Sequence, residues 1–440
     1  MKRISIFNWL LVLSLFYFTA CNKDDEEIGE LEETFPEATA ESHKSTLEQT
    51  GIDFTTELES MKDIESVNYV VTLLDYFDLD DPFDDDEEVM VNGRRSATYF
   101  LHDIKAFSLG KLTLKDLAKG RIAEGGDSIE EAFDSIKGTY SWNSSTSEWD
   151  YTEGGEKVIF EFPSEEGGTT NNAVFTIHSY SGVTISGNPL EENEDYTGDL
   201  PAELDADLVI DGTVVMEYGF DISYNTDGVP TSVSTTLSLS PYSLTYSLTN
   251  STSEVTSGYK LQKGDSNIIA VNLGVSGNFD LDNIESSADD EDISGVVTAG
   301  EVSLQLYDIK FVADLSDVEG LVDELDAIEA KEESDDYEGA AEILETAMND
   351  HLSFKVKYAS KNEIIAIGVF EGVVVEETYT YWEWDDEAQD WVEYEAVDTW
   401  IEPDMVLQFG DDSKVSIEAY FEEGFEDLEQ AIEDLLDSVK

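Results

Sequence analysis

Residues 230–250 read PTSVSTTLSLSPYSLTYSLTN. Val233, Thr235, Leu237 and Leu239 fall at odd positions, and Tyr242, Leu244, Tyr246 and Leu248 at even ones. A period of two sends successive side chains to opposite faces of a strand, so each half pairs an apolar face with a Ser/Thr face. The phase flips across Pro241. Because a one-residue slip exchanges core and solvent faces, the flip predicts a bulge or corner at Pro241 rather than one flat strand. Strands rich in Ser, Thr and Tyr suit an antiparallel sheet with one wet face.

Working outward, the same period recurs. The segments Thr139–Trp142 and Glu148–Tyr151 flank a polar connection and read as a hairpin. Lys157–Phe162 and Ala173–Tyr180 continue as strands, and Asp207–Tyr224 reads as one long strand. Asn225-Thr226-Asp227-Gly228 supplies turn chemistry. Val255–Leu261, Asn267–Val275, Glu301–Ala313, Leu352–Ala359 and Glu363–Glu371 add further strands. Helical spacing runs through Leu47, Ile52, Phe54, Leu58, Met61, Ile64, Val67, Val71 and Leu74, and Pro82 ends it. Other helices are expected over Ser128–Ile136, around Val318–Ile328 and around Ala340–Ala347. Phe421, Phe425, Leu428, Ile432, Leu435 and Val439 predict an amphipathic helix at the C-terminal end.

The fold class expected is therefore α+β. It comprises mainly antiparallel sheet, an N-terminal helical region, helices inserted between β units and a C-terminal amphipathic helix. The expected organisation is a signal peptide (1–20), a lipidated cysteine with an acidic tether (21–45) and a helical region (46–137). A β-rich domain (138–315) and an α+β region (316–440) follow.

The first residues specify location. Lys2 and Arg3 precede a mostly apolar run to Phe18, and Phe18-Thr19-Ala20 leads into Cys21, the one cysteine of the chain. The run is short for a membrane-spanning helix. This resembles the bacterial lipoprotein signal, whose cleavage leaves an acylated, palmitate-bearing N-terminal cysteine. Lys23-Asp24-Asp25-Glu26-Glu27 is similar to the Lys-then-acidic signal that sends lipoproteins of the Bacteroidota to the outer face of the outer membrane. The resemblance implies lipidation at Cys21, export through Lys23, Asp24 and Asp25, and anchorage in outer-membrane lipid at the cell surface. The plain alternatives are an ordinary secretory signal with a chance cysteine, and an acidic linker in a generally acidic chain.

Asp and Glu outnumber Lys and Arg 101 to 23, a formal charge of −78. Losing Lys2 and Arg3 with the leader takes it to about −80. Such a chain repels phosphate backbones, so nucleic acid is not an expected partner. Self-repulsion favours a soluble monomer. Apolar residues still make up 40%, with 21 Phe, 20 Tyr and 7 Trp, enough for a sizeable core. With Cys21 lipidated, no disulfide forms.

One internal echo stands out. Trp142 and Trp149 are seven apart, and so are Trp384 and Trp391. Each pair flanks a polar connection with aromatics outside it, and an apolar stretch ending in Phe follows each (Val158–Phe162, Met405–Phe409). The pattern predicts two related hairpins. These hairpins resemble those of uncharacterised Bacteroidota surface lipoproteins, a resemblance that implies no activity.

Chemistry-bearing motifs are scarce. His43, His102, His178 and His351 are scattered, with no zinc-protease motif, no serine-nucleophile elbow and no phosphate-cradling glycine loop. Two placed carboxylates suffice for a glycosidase, and 101 acids cannot be searched by spacing. Catalysis is left open, and the reading leans against it. Calcium is the cofactor the acidic cluster would suit, since it takes six to eight oxygens. Asp80, Asp81, Asp84, Asp85 and Asp86 are the candidate ligands, with a solvated loop as the alternative. Asp289–Asp292 is a weaker second cluster. Trp382, Trp384, Trp391 and Tyr394, with Tyr379, Tyr381 and Trp400 nearby, are the candidate ligand-binding surface. The reading sets Trp382 and Trp384 on opposite strand faces. The alternative is that one face joins the core and the other braces the hairpin.

These features suggest a non-enzymatic, surface-anchored lipoprotein that binds an extracellular ligand, glycan or matrix. A carrier of lipid or other apolar cargo at the outer membrane comes second and a glycan hydrolase last.

Overall fold

The computed structural model describes residues 33–61, 64–80, 82, 129–185, 198–226, 228–280, 283, 295–385, 390–422, 428 and 430. They form two compact units. One holds residues 58–250 and 258–266, and the other holds residues up to 57, 251–257 and from 267 onward. Among the described residues three helices come first, α1 (Ala40–Ser60), α2 (Glu65–Leu79) and α3 (Ile129–Ile136).

Within the 58–250 unit, eight strands follow: β1 (Gly138–Asn143), β2 (Glu148–Glu153), β3 (Val158–Phe162), β4 (Ala173–Ile185), β5 (Gly198–Ile210), β6 (Thr213–Tyr224), β7 (Pro230–Leu239) and β8 (Tyr242–Asn250). Their order is β8-β7-β6-β5-β4-β3-β1-β2. All these pairs are antiparallel except β1 with β3, which is parallel. The core of this unit draws on α2, α3 and strands β1 to β7, and α2 covers its β1–β3 end. Phe160, Phe162, Val158 and Phe175 are fully buried. Tyr76 and Phe77 of α2 meet Trp142 at 4.6 Å and Phe160 at 4.9 Å between ring centres. Asp80, just past the end of α2, accepts a 2.7 Å hydrogen bond from the Trp149 amide and fixes the helix to the hairpin.

The strand β9 (Glu254–Lys263) is divided between the units. The second unit then contains β10 (Ser266–Gly277), β11 (Val297–Leu306), β12 (Ile309–Leu315), α4 (Val318–Glu332) and α5 (Tyr337–His351). It continues with β13 (Leu352–Tyr358), β14 (Glu363–Asp385), β15 (Asp390–Phe409), β16 (Lys414–Ser416) and α6 (Ile417–Glu422). Strands β10 to β16 stand in chain order, each antiparallel to the next. Asp317 and Asp336 cap α4 and α5 by accepting from the amides of Gly320 and Gly339, as a short acidic side chain does at an N-cap.

Three expected strands are differently divided. The phase flip at Pro241 is a hairpin turn, not a bulge or corner. Leu239 pairs with Tyr242, Leu237 with Leu244, Thr235 with Tyr246 and Val233 with Leu248. Antiparallel pairing across a two-residue turn always sets odd positions against even ones, so the flip keeps one apolar face continuous. The 207–224 run breaks at Asp211-Gly212, whose φ values of 49° and 83° make a tight turn. The 301–313 run breaks at Tyr307-Asp308, with Tyr307 at φ 49°.

The helical start also differs. α1 begins at Ala40, within the segment read as a tether, because His43 is buried against Tyr358 and Tyr420 reaches the Ala40 carbonyl. Glu33 pairs with Lys355 at 2.6 Å and Thr34 bridges to Glu363, so residues 33–45 are bound to the body. The expected C-terminal amphipathic helix is not shown: α6 is Ile417–Glu422, and beyond it only Leu428 and Gln430 are among the described residues.

At the base of β14, α5 replaces a neighbouring strand. The Asn349 amide donates to the Phe370 carbonyl at 2.6 Å and its oxygen accepts from the Phe370 amide at 3.0 Å. Two residues on, a Cβ at Gly372 would run into the carbonyl oxygen of Ala341. Gly372→Ala is therefore expected to push α5 off β14 and to lower stability by about 1–3 kcal/mol in chemical denaturation.

Candidate functional site

Beyond that base, β14 and β15 continue as a bare ribbon. They pair from Ala366↔Phe409 to Asp385↔Asp390 without a register shift. The outer neighbours stop early: β13 pairs only as far as Ile367, and β16 starts at Val406. From Glu376 to the tip and back to Asp398, the described side chains are exposed apart from Val392 and Ala396, which are half-buried. Ten residues of strand extend the arm by roughly 34 Å.

The register assigns its side chains to faces. Trp384 is directly opposite Trp391, and Trp382 opposite Glu393. Residues two apart in a strand share a face, so Trp382, Trp384 and Trp391 lie together. This corrects the expectation that Trp382 and Trp384 oppose each other. Tyr379, Tyr381 and Tyr394 occupy the other face, with Tyr381 and Tyr394 stacked at 5.7 Å and Tyr379 6.1 Å from Tyr381. Trp384 and Trp391 meet edge to face at 5.9 Å. The six rings are between 38% and 60% exposed, so neither face of the arm is packed into a core. Val397, 58% exposed on the Trp face, belongs to the same surface. Its place was readable from alternation alone. Trp400, nearer the base, is half-buried and lies outside this cluster.

The other Trp hairpin shows what the arm lacks. Trp142 and Trp149 are also directly opposite and edge to face, at 5.3 Å. There the rings of Tyr76 and Phe77 cover them, and their exposures are 6% and 8%. Where that hairpin has Tyr140 and Tyr151 beside the pair, the arm has Trp382 and Glu393. The echo ends at the following segment: Val158–Phe162 is a separate strand, whereas Met405–Phe409 is the continuation of β15 itself.

The remaining candidates are not drawn together. Cys21, Lys23, Asp24 and Asp25, and the cluster members Asp81, Asp84, Asp85 and Asp86, lie outside the described residues. So do Asp289–Asp292 and His102. Asp80 is described, and its carboxylate is engaged by the Trp149 amide. Among the described residues no group of three His, Cys, Asp or Glu side chains is placed to hold a metal ion. His178 sits at a register shift in β4, with Lys157 2.6 Å from Nδ1 and Asp207 3.1 Å from Nε2. His351 ends α5 between Asp317 and Glu324. Burial pushes the Glu332 carboxyl above the usual range, helped by the charge of Glu329.

An apolar cavity of about 220 Å³ lies in the second unit, lined by Leu47, Phe311, Phe354, Ile365, Phe409 and Tyr420 among others. Ligand pockets usually measure about 300–1,000 Å³. No helix of the described residues is long and apolar enough to cross a membrane.

Beside the cavity, His43 accepts from or donates to the Tyr358 hydroxyl at 3.1 Å through Nδ1, and its Nε2 has no hydrogen-bond partner. Burial lowers its pKa below the ordinary value, Lys361 adds to the shift and Glu363 opposes it. The folded state thus binds the proton less readily than the unfolded chain. The stability this represents is present above the unfolded value of 6.5 and is lost as pH falls through the folded one. Denaturation midpoints at about pH 7.5 and about pH 5 are expected to differ less in His43→Gln than in the parent chain.

The two Trp pairs make a second prediction. Trp142→Ala is expected to cost about 3–5 kcal/mol, because it empties a covered core site. Trp384→Ala is expected to cost under about 1 kcal/mol, the scale of an exposed cross-strand pair. Paired chemical denaturation curves check both.

No family model, curated protein or solved structure matches this chain, so the chemistry of the arm rests on its own residues.

Proposed function

We propose that this chain is a non-enzymatic lipoprotein, anchored through acylated Cys21 at the outer face of the outer membrane, that binds an extracellular glycan with the β14–β15 arm. The observation that carries the reading is the arm itself. Six aromatic rings stand on its two faces, all more than a third exposed. Contiguous aromatic surface in water is unfavourable in a free monomer and marks an interaction site. Flat rings stack against the apolar faces of sugar rings, and the carboxylates beside them accept hydrogen bonds from hydroxyls. The leader and the Lys23-Asp24-Asp25 stretch support the location.

The carrier reading would rest on the apolar cavity, whose volume is below that of a ligand pocket. The hydrolase reading would need an acid paired with a second carboxylate across a cleft. Burial raises the Glu332 carboxyl, but the acidic group whose charge adds to that shift is Glu329, one turn away on the same helix.

Affinity electrophoresis against neutral polysaccharides tests the reading. Trp382→Ala, Trp384→Ala and Trp391→Ala together are expected to weaken retention about tenfold or more, the loss of about 1.4 kcal/mol or more of stacking, while the chain still unfolds cooperatively with only a small drop in melting temperature. Retention that survives the triple change would remove the arm from the binding site. Cys21→Ser is expected to abolish palmitate labelling and release the protein from the membrane fraction. Protease added to intact cells is expected to digest the parent protein, and protection there would overturn the surface location.

A further inference from the structure

The arm's charge has no internal counterpart. Between Glu376 and Thr399 there are ten Asp or Glu and no Lys, Arg or His. The register distributes these among the rings. Glu376, Glu393 and Glu395 share the face of Trp382, Trp384 and Trp391. Glu377, Glu383, Asp390 and Asp398 share the face of the three tyrosines. All seven are exposed.

One pair goes further. Glu377 stands directly opposite Asp398. Like charges facing each other across an antiparallel pair are destabilising, whereas opposite charges or aromatic pairs there stabilise. The ribbon therefore carries an electrostatic cost that no basic residue in it relieves. A bound cation would relieve it. Aromatic faces contribute as well, since an ammonium group over a Trp or Tyr ring is attracted by the ring quadrupole. Rings interleaved with carboxylates, without a base, are complementary to an ammonium and repel an acidic sugar.

We infer that the glycan bound by the arm is an amine-bearing one, a chain of amino sugars with free ammonium groups. This rests on the glycan reading above and narrows it. The sugar rings would lie on Trp382, Trp384 and Trp391 or on the Tyr face, with ammonium groups against Glu393 and Glu395 or against Glu377 and Asp398.

Titration calorimetry with three probes at about pH 6 and physiological salt tests it. A glucosamine hexamer and an N-acetylglucosamine hexamer have the same rings and linkage and differ in ammonium against acetamide. Hexalysine carries ammonium groups without rings. The glucosamine hexamer is expected to bind at least about tenfold more tightly than the acetylated one, and hexalysine more weakly than the glucosamine hexamer. In the variant Glu377→Gln, Glu393→Gln, Glu395→Gln, Asp398→Asn, the preference for glucosamine is expected to vanish while the acetylated hexamer still binds. Four charges of a formal −78 barely alter the field of the whole chain, so that loss locates the ammonium site on the arm.

Equal or tighter binding of the acetylated hexamer would overturn the ammonium inference and leave the glycan reading intact. Failure of both sugars would overturn both. Hexalysine matching the glucosamine hexamer, or a preference unchanged in the four-residue variant, would show attraction by charge alone and overturn the inference.

Discussion

Antiparallel pairing holds the sum of paired residue numbers constant, and the arrangement of this chain follows from that constraint more than from any single contact. Where the sum is odd, every odd position faces an even one. The stretch from Val233 to Leu248 obeys it, so two oppositely phased apolar sets join one face across Ser240-Pro241. β14 and β15 obey it from Ala366 to Asp385 without interruption. A single bulge in that ladder would shift the outer part of one strand by a residue. Rings now sorted into a Trp face and a Tyr face would then be mixed. The clean separation is therefore a consequence of an unbroken register, which in turn needs the base of the ribbon held firmly.

That base is held by a helix. The amide of Asn349 makes with Phe370 the pair of hydrogen bonds a neighbouring strand would make, and Gly372 lets the Ala341 backbone come close. Helix α5 thus ends the sheet edge at the point where the ribbon leaves it. Contrast the hairpin of Trp142 and Trp149, where Tyr76 and Phe77 supply a lid of aromatic rings. The cross-strand Trp geometry is nearly the same in the two hairpins, with interplanar angles of 73° and 75°. Pair geometry is local, set by strand spacing. Burial is not local, and it depends on whether another element arrives to cover the face.

This division explains what the amino-acid sequence made legible. Period-two segments, the paired tryptophans, and the helices around Val318–Ile328 and Ala340–Ala347 were readable because each depends on near neighbours. The turns at Asp211-Gly212 and Tyr307-Asp308 were hidden within long β-like runs. The first carries an Asp-Gly signal that strand propensity on either side outweighed. The start of α1 at Ala40 was obscured because Glu37, Glu41, Ser42 and Lys44 make the segment look like a linker, while His43 is buried by residues more than three hundred positions away. Exposure of Trp382, Trp384 and Trp391 could not be read either. An aromatic strand looks alike whether a helix covers it or water does.

The exposed arm poses a problem that its charges answer. A ribbon with free edges and apolar faces is a template for pairing with another copy, and proteins usually blunt such edges with charge or a covering element. Here no strand pairs with the outer part of either edge among the described residues. The carboxylates on both faces supply the missing protection, because two arms brought edge to edge would set ten acidic residues against ten. Self-pairing is thereby opposed without hiding the rings. On the proposed reading the same residues would also repel acidic polymers and attract amines, so resistance to aggregation and selection of a ligand would arise from one pattern of charge. Neutralising the arm would then remove the selectivity and the protection together, a physical reason for the proposed recognition surface to be so acidic.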